Sequence, residues 1–292
     1  MMADTFSEKL KEFSPANALE QEHALAEILQ HFVLSSLAKA GLFKLAGFHG
    51  GTFLRIIHGL DRFSEDLDFV CKVEQTEFHW QPYLDCLFED MTHENIKLEV
   101  LERSAPEAAV KKAFVKAESK GKLLLLDLPY SRHPLQKIKI KLEIDTRPPQ
   151  GSTFDTSYIA FPVMTAITTQ TLESAFASKA HALLCRSYTK GRDWYDFLWY
   201  VAKKVRPNLK LLSSAIEQQG PWQGQGIKTT EAWFIDKLRE EIGRIDWKQT
   251  REDVIRFLPK EKQASLSLWT TDFFLYHAEQ LAPQPELKNH SR

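Results

Sequence analysis

The stretch GFHGGTFLRIIHGLDRFSEDLDFV, Gly47 to Val70, decides how this chain is read. Gly50 and Gly51 open an apolar run, and fifteen residues after Gly51 the aspartates Asp66 and Asp68 flank Leu67. Alternate strand residues project from one face. In the strand pattern DLDFVCKV the two acids therefore share a face and Leu67 and Phe69 take the other. At the usual strand rise the Cα atoms of Asp66 and Asp68 lie about 6.5–7 Å apart. Carboxylates at that spacing can share a cation, and without one they repel and one pKa climbs. Ligands that are all oxygen suit Mg²⁺ or Mn²⁺ and argue against zinc. The competing reading of the same pattern is the solvated polar face of an edge strand.

The glycines shift that balance. A Gly-Gly turn exposes backbone N–H groups with no Cβ in the way, and TFLRIIHGL has the pattern of a helix beginning at Thr52. The positive end of that helix, the bare N–H groups of Gly50 and Gly51 and the Thr52 hydroxyl together make a seat for phosphate. Arg62 and Ser64 lie just ahead of the acids. Arg62 is open to two readings: a phosphate contact, or a partner of Glu65 or Asp66 that fixes the start of the strand.

Around this stretch the chain divides in character. SPANALEQEHALAEILQHFVLSSLAKAGL reads as a helix capped by Ser14 or Asn17 and stopped near Gly41, and LFKLAGF as a short buried strand. A helix is expected from Trp80 to Met91, then strands at IKLEVLE, KLLLLDLPY and QKIKIKLEID, with FPVM near Phe161 as a last short one. From about Thr165 onward the periodicity is helical. The expected fold class is α+β. A mixed-sheet domain with its N-terminal helix spans 1–164, and a helical domain spans 165–292 and completes the active-site cleft.

Bulk properties exclude several classes. At 292 residues, 43% hydrophobic and 26% charged, the chain has the composition of an ordinary globular protein with a real core. A net charge of −1 gives no global field that would announce a nucleic-acid or membrane partner. Locally, Arg103 to Arg147 carries eleven Lys/Arg against five Asp/Glu, a bias able to receive an RNA backbone or simply to be solvated. The three cysteines, Cys71, Cys86 and Cys185, show no paired spacing and read as reduced thiols. The ten histidines form no HExxH-type motif. With no signal-like or spanning apolar segment, the expected location is cytoplasmic, with no membrane partner.

The motifs Gly50-Gly51-Thr52-Phe53-Leu54 and Arg62-Phe63-Ser64-Glu65-Asp66-Leu67-Asp68 resemble the GGTxL and R-x-S-x-D-x-D motifs of the AbiEii/AbiGii-type nucleotidyltransferases. These are the toxin halves of type IV toxin–antitoxin and abortive-infection systems, within the DNA polymerase β-like nucleotidyltransferase superfamily. Lys179 in ESAFASKAHALLCRSY fits that family's lysine motif, and Asp193 in KGRDWYDF its last acid, with Asp196 three residues on. Without the resemblance, Lys179 reads as a solvated helix lysine and the two acids as the stabilised start of a helix.

The resemblance implies a nucleotidyltransferase that moves an NMP from an NTP to an acceptor and releases pyrophosphate. Asp66 and Asp68 would hold Mg²⁺ (or Mn²⁺) against the phosphates, and Gly50, Gly51 and Thr52 would bind phosphate oxygens. Lys179 would neutralise charge. Asp193 would activate the acceptor hydroxyl or orient Lys179 and Arg192. Superfamily members often carry a third acid on a later strand, for which Glu143 and Asp145 are the candidates. The acceptor implied is RNA, such as a tRNA 3′ end, and the implied partner is an antitoxin encoded by a neighbouring gene. A non-catalytic binding module on the same scaffold, or transfer to a protein or small molecule, are the competing functions.

Overall fold

The computed structural model describes residues 2–102, 119–127 and 138–282. The described residues fall into two compact units. One takes those up to Pro148 together with 152–171 and 257–259; the other takes 149–151, 172–256 and those from Lys260 onward.

The first unit is built on a seven-stranded mixed sheet. It begins with helix α1 (Met2–Phe13), then α2 (Ala18–Lys39) and the single turn α3 (Leu42–Leu45). Asn17 is the N-cap of α2, its side chain accepting from the Glu20 N–H, and Leu29, Val33 and Leu37 are fully buried along its inner face. Strand β1 (Ala46–His49) leads directly into α4 (Gly50–His58). Strand β2 (Asp66–Cys71), helix α5 (Gln81–His93), and strands β3 (Lys97–Glu102), β4 (Ser119–Asp127), β5 (Ile138–Asp145), β6 (Phe154–Ile159) and β7 (Thr165–Gln170) complete it. The strand order is β3-β4-β5-β2-β1-β7-β6.

Strands β1 and β2 run antiparallel, with His49 opposite Asp68, and β2 runs parallel to β5, with Asp66 beside Lys141 and Asp68 beside Glu143. Register partners share a face, so β2 and β5 present one polar face. The other face buries Leu67, Phe69, Ile140, Leu142 and Ile144. An aromatic cluster sits under the sheet centre, where Phe48 meets Phe69 at 5.8 Å and Phe53 at 6.1 Å, and Phe69 meets Trp80 at 6.2 Å.

Three local readings change. The segment LFKLAGF is half helix and half strand, because Gly41 at φ +86 starts a turn before the chain extends. The last strand is not FPVM: that stretch links β6 to β7, and the Thr-rich TAITTQ is the strand, its β-branched residues suiting a pleated surface. Helix α4 begins at Gly50, not Thr52.

The second unit is helical: α6 (Leu172–Cys185), α7 (Gly191–Ala202), α8 (Leu209–Gln218), α9 (Glu231–Arg244), α10 (Trp247–Ile255), a 3₁₀ segment (Lys260–Leu268) and α11 (Thr271–Glu279). Its core is aromatic. Trp247 stacks on Phe274 at 3.8 Å, Trp194 meets Phe274 edge-on at 5.4 Å, and Phe176 stacks on Tyr200 at 4.5 Å. No helix among the described residues is long and apolar enough to cross a membrane.

Leu142 is fully buried in β5, between β2 and β4. Leu142→Ala is therefore expected to lower the stability of the first unit by about 2–5 kcal/mol. Urea unfolding followed by Trp80 burial checks this, and a midpoint unchanged from wild type would contradict the packing described.

Candidate active site

The sequence motifs fall into two clusters, one in each unit, and each is built up here by itself.

In the first unit, β1 turns into α4 at Gly50, which adopts φ +85, a left-handed conformation that side chains disfavour. A Cβ on Gly50 would also collide with the Asp68 carboxylate. A Cβ on Gly51 would lie 2.5 Å from Arg62 Nη2 and 2.8 Å from Ser64 Oγ. Both glycines are thus required by contact, and they bring the first turn of α4 against the acid strand. Helix starts leave their first N–H groups without intrahelical partners, and His49, the N-cap of α4, makes no side-chain cap. The first turn of α4 and the acid pair therefore lie together at one end of the sheet's central strands.

Surrounding contacts hold this corner still. Thr52 is fully buried and its hydroxyl donates to the Asp66 carbonyl, so the side chain expected as a phosphate donor instead pins α4 to the start of β2. Arg62 is 2% exposed and donates from Nη1 to the Phe63 carbonyl at 3.0 Å. Gln30 of α2 donates to the Ser64 carbonyl at 2.9 Å, and the Phe63 N–H donates to the Phe257 carbonyl at 2.8 Å. Arg55 of α4 pairs with Glu27 at 2.8 Å and donates to the carbonyls of Leu60 and Asp61.

Asp66 and Asp68 are half-buried on the polar face. Glu143 lies beside Asp68 in the register, is 36% exposed, and forms an ion pair with Lys141. Asp145 lies one step further along, 7% exposed, accepting from the Arg147 N–H at 3.1 Å. Of the two candidate third acids, Glu143 is thus the neighbour of the pair. The donor set is hard carboxylate oxygen on an open face. That fits Mg²⁺, which takes one or two protein carboxylates and fills its remaining positions from phosphate and water. Among the described residues no group of three or more His, Cys, Asp or Glu side chains is placed to hold a metal ion, so the acid pair supplies at most part of an ion's shell. All three cysteines are free thiols, and burial pushes Cys71 and Cys185 up to about 12, with Asp145 adding to the shift at Cys71 and Glu241 at Cys185.

In the second unit, Lys179 on α6 bridges two acids on α7, at 2.7 Å from Asp193 Oδ1 and 2.8 Å from Asp196 Oδ2. Asp193 and Asp196 are one helical turn apart, so they share a face and take one ammonium between them. Arg186, just past the end of α6, pairs with the other Asp193 oxygen. Burial by itself would raise the Asp193 pKa; the charges of Lys179, Arg186 and Lys190 outweigh it and hold the carboxyl far below the ordinary range. A carboxylate so stabilised is a poor proton acceptor. Of the two roles the family resemblance left open for Asp193, the geometry therefore favours orienting cations. Arg186 is a second cation held by Asp193 beside Lys179. Arg186 was missed, although it lies seven residues after Lys179, two turns along the same helical face.

The start of α7 is itself fixed by contact. The Gly191 N–H donates to Asp253 Oδ2 at 2.7 Å, and a Cβ there would collide with the Thr250 carbonyl of α10. Most of the basic stretch 103–147, read as either a seat for an RNA backbone or a solvated face, lies outside the described residues.

The family model for Nucleotidyl transferase AbiEii toxin, Type IV TA system, matches residues 33–275. Among solved structures, JHP933 from Helicobacter pylori is similar at 16% identity over 87% of this chain and 88% of its own, with a TM-score of 0.50. MenT4, a nucleotidyltransferase toxin from Mycobacterium tuberculosis H37Rv, is similar at 14% identity over 92% of this chain and 97% of its own, with a TM-score of 0.49. A search of curated proteins gives no match.

Removing Lys179 leaves Asp196, fully buried, and Asp193, 5% exposed, without their shared ammonium. Lys179→Met is expected to cost about 3–5 kcal/mol at pH 7. Because the folded-state pKa of Asp193 is depressed, its contribution is complete above the ordinary carboxylate pKa of about 4 and is lost as the pH falls below it. Wild-type and variant stabilities should converge in that acidic range. Denaturation curves between pH 7 and 2.5 measure this; a gap that stays constant would contradict it.

Proposed function

The chain belongs to the AbiEii family of nucleotidyl transferase toxins, and we propose that it transfers a nucleoside monophosphate from an NTP to RNA, releasing pyrophosphate. Nucleotidyl transfer comes with the family. The donor, the metal dependence and the acceptor are our reading. One observation carries it: Gly50 and Gly51 pack against Asp68, Arg62 and Ser64, so that helix N–H groups and a carboxylate pair adjoin.

The reaction needs charge neutralisation and alignment more than covalent help. A hydroxyl oxygen of the acceptor loses its proton to solvent and bonds to the α-phosphorus, the bond from that phosphorus to the bridging oxygen of the β-phosphate breaks, and pyrophosphate leaves. A divalent cation held by Asp66 and Asp68, with Glu143 as the candidate third ligand, would supply positive charge at the phosphates. The N–H groups at the start of α4 would bind the outer phosphate oxygens. Thr52, Arg62 and Ser64 would keep that turn and strand in register. Lys179 and Arg186, oriented by Asp193 and Asp196, would offset charge on transferring or departing phosphate.

An antitoxin partner is supported by the family's place in type IV toxin–antitoxin systems. In the cell the expected consequence is growth inhibition that a cognate antitoxin relieves.

Incubation with each labelled NTP, Mg²⁺ and total RNA tests the reading. Wild-type protein should label a discrete RNA species. Asp66→Ala should keep its fold and lose at least about a hundredfold in rate, the loss of several kcal/mol of charge stabilisation. Wild-type labelling by folded Asp66→Ala would sink the proposal, and label appearing only in protein would overturn RNA as the acceptor.

A further inference from the structure

The sheet ends in two edge strands, β3 and β6, and they are guarded differently. Strand β3 carries exposed charges at Lys97 and Glu99, of the kind that keep an edge from pairing with another chain. Strand β6, Phe154-Asp155-Thr156-Ser157-Tyr158-Ile159, carries a single charged residue, Asp155, and no proline. The direction of its backbone groups follows from the register. The Thr171 N–H donates to the Thr153 carbonyl, so these two form a hydrogen-bonded pair at the start of the β6–β7 ladder. Bonded and non-bonded pairs alternate along an antiparallel ladder. Asp155, Ser157 and Ile159 therefore bond to β7, and the N–H and C=O groups of Phe154, Thr156 and Tyr158 point away from it. Among the described residues no strand lies on that side. The surface there is also apolar for an edge: Tyr158 is 65% exposed, and Val163 and Met164 in the link after β6 are exposed as well. Phe154 is anchored, its ring so close over Gly47 of β1 that a Cβ there would lie 2.5 Å away.

Strand β6 is complementary to its own reverse. Antiparallel pairing of two copies centred on Thr156 sets Thr156 opposite Thr156, Phe154 opposite Tyr158 and Asp155 opposite Ser157. Every outward N–H and C=O of Phe154, Thr156 and Tyr158 then finds a partner, about six hydrogen bonds between the copies. Threonine pairs and aromatic pairs are favourable across strands, and the lone charge of each copy faces a hydroxyl. Neighbouring registers are worse. Sliding one hydrogen-bonded step one way sets Asp155 opposite its own copy, where like charges repel. Sliding the other way carries Phe154 past the end of the opposing strand. We propose that the chain forms a twofold dimer through β6, which joins the two sheets edge to edge. A twofold interface requires one surface to match itself, and β6 does so in backbone direction, side-chain pairing and charge. The occupant of this edge is therefore a second copy of the chain. The inference is independent of the transfer reaction.

Sedimentation equilibrium of the full chain over a range of concentrations tests this in wild type, Thr156→Lys, Thr156→Val and Tyr158→Glu, with circular dichroism to show that each is folded. Wild type should show a monomer–dimer equilibrium. Thr156 lies on the twofold axis, so Thr156→Lys sets two like charges face to face and should raise the dissociation constant by about tenfold or more. Thr156→Val keeps a β-branched residue at that point and should dimerise like wild type. Tyr158→Glu removes the contact with Phe154 twice in each dimer and should also weaken it. Thr156 and Tyr158 are both exposed, so these variants should leave the monomer's fold intact. A wild type that sediments as a monomer throughout would overturn the proposal. So would a dimer whose dissociation constant neither Thr156→Lys nor Tyr158→Glu moves, since its interface would then lie elsewhere.

Discussion

Where β1 passes into α4, the backbone runs so close to its neighbours that residues 50 and 51 have no room for side chains. A Cβ at Gly50 would meet the Asp68 carboxylate, and one at Gly51 would meet the Arg62 guanidinium and the Ser64 hydroxyl. This proximity turns two ordinary features into one arrangement. A helix start alone is a weak anion site, and an acid pair alone is a polar strand face. Held in contact, they would offer donors for phosphate and ligands for the cation that phosphate carries, on the function proposed above. The rest of the corner serves that contact: Thr52 ties the helix to the Asp66 carbonyl, Gln30 ties the loop at Ser64, and Arg62 fills the buried space between.

The second unit solves a different problem. Its aromatic core leaves Asp193 and Asp196 at the buried start of α7, where lone carboxylates would protonate. Lys179 and Arg186 keep Asp193 charged, so its far-lowered pKa is a statement about cation placement. The acids set the positions of two cations that a loop or an exposed helix would leave mobile.

Much of this was legible in the residues. Strand alternation placed Asp66 and Asp68 on one face, and the alternation of KIKIKLEID placed Glu143 on a polar face, which the parallel register then set beside Asp68. The glycines were read as a turn that frees N–H groups, but their contact with Asp68, Arg62 and Ser64 is a tertiary fact with no local signal. Thr52 looked like a phosphate donor because hydroxyls at helix starts often are; its burial against the Asp66 carbonyl depends on packing between α4 and β2. TAITTQ was absorbed into the helical half because it lacks a clean alternation: both of its faces are partly covered in the sheet. Arg186 carried a usable signal, its two-turn spacing from Lys179.

The account centres on the claim that the glycine turn and the acid pair form a single nucleotide seat. The affinity of Gly50→Ala for NTP in the presence of Mg²⁺, measured by calorimetry on protein shown to be folded, addresses it most directly. The added methyl group intrudes on Asp68 and strains a left-handed backbone position. The account predicts a loss of at least about tenfold in Mg²⁺-dependent NTP affinity. Wild-type affinity in folded Gly50→Ala would contradict it.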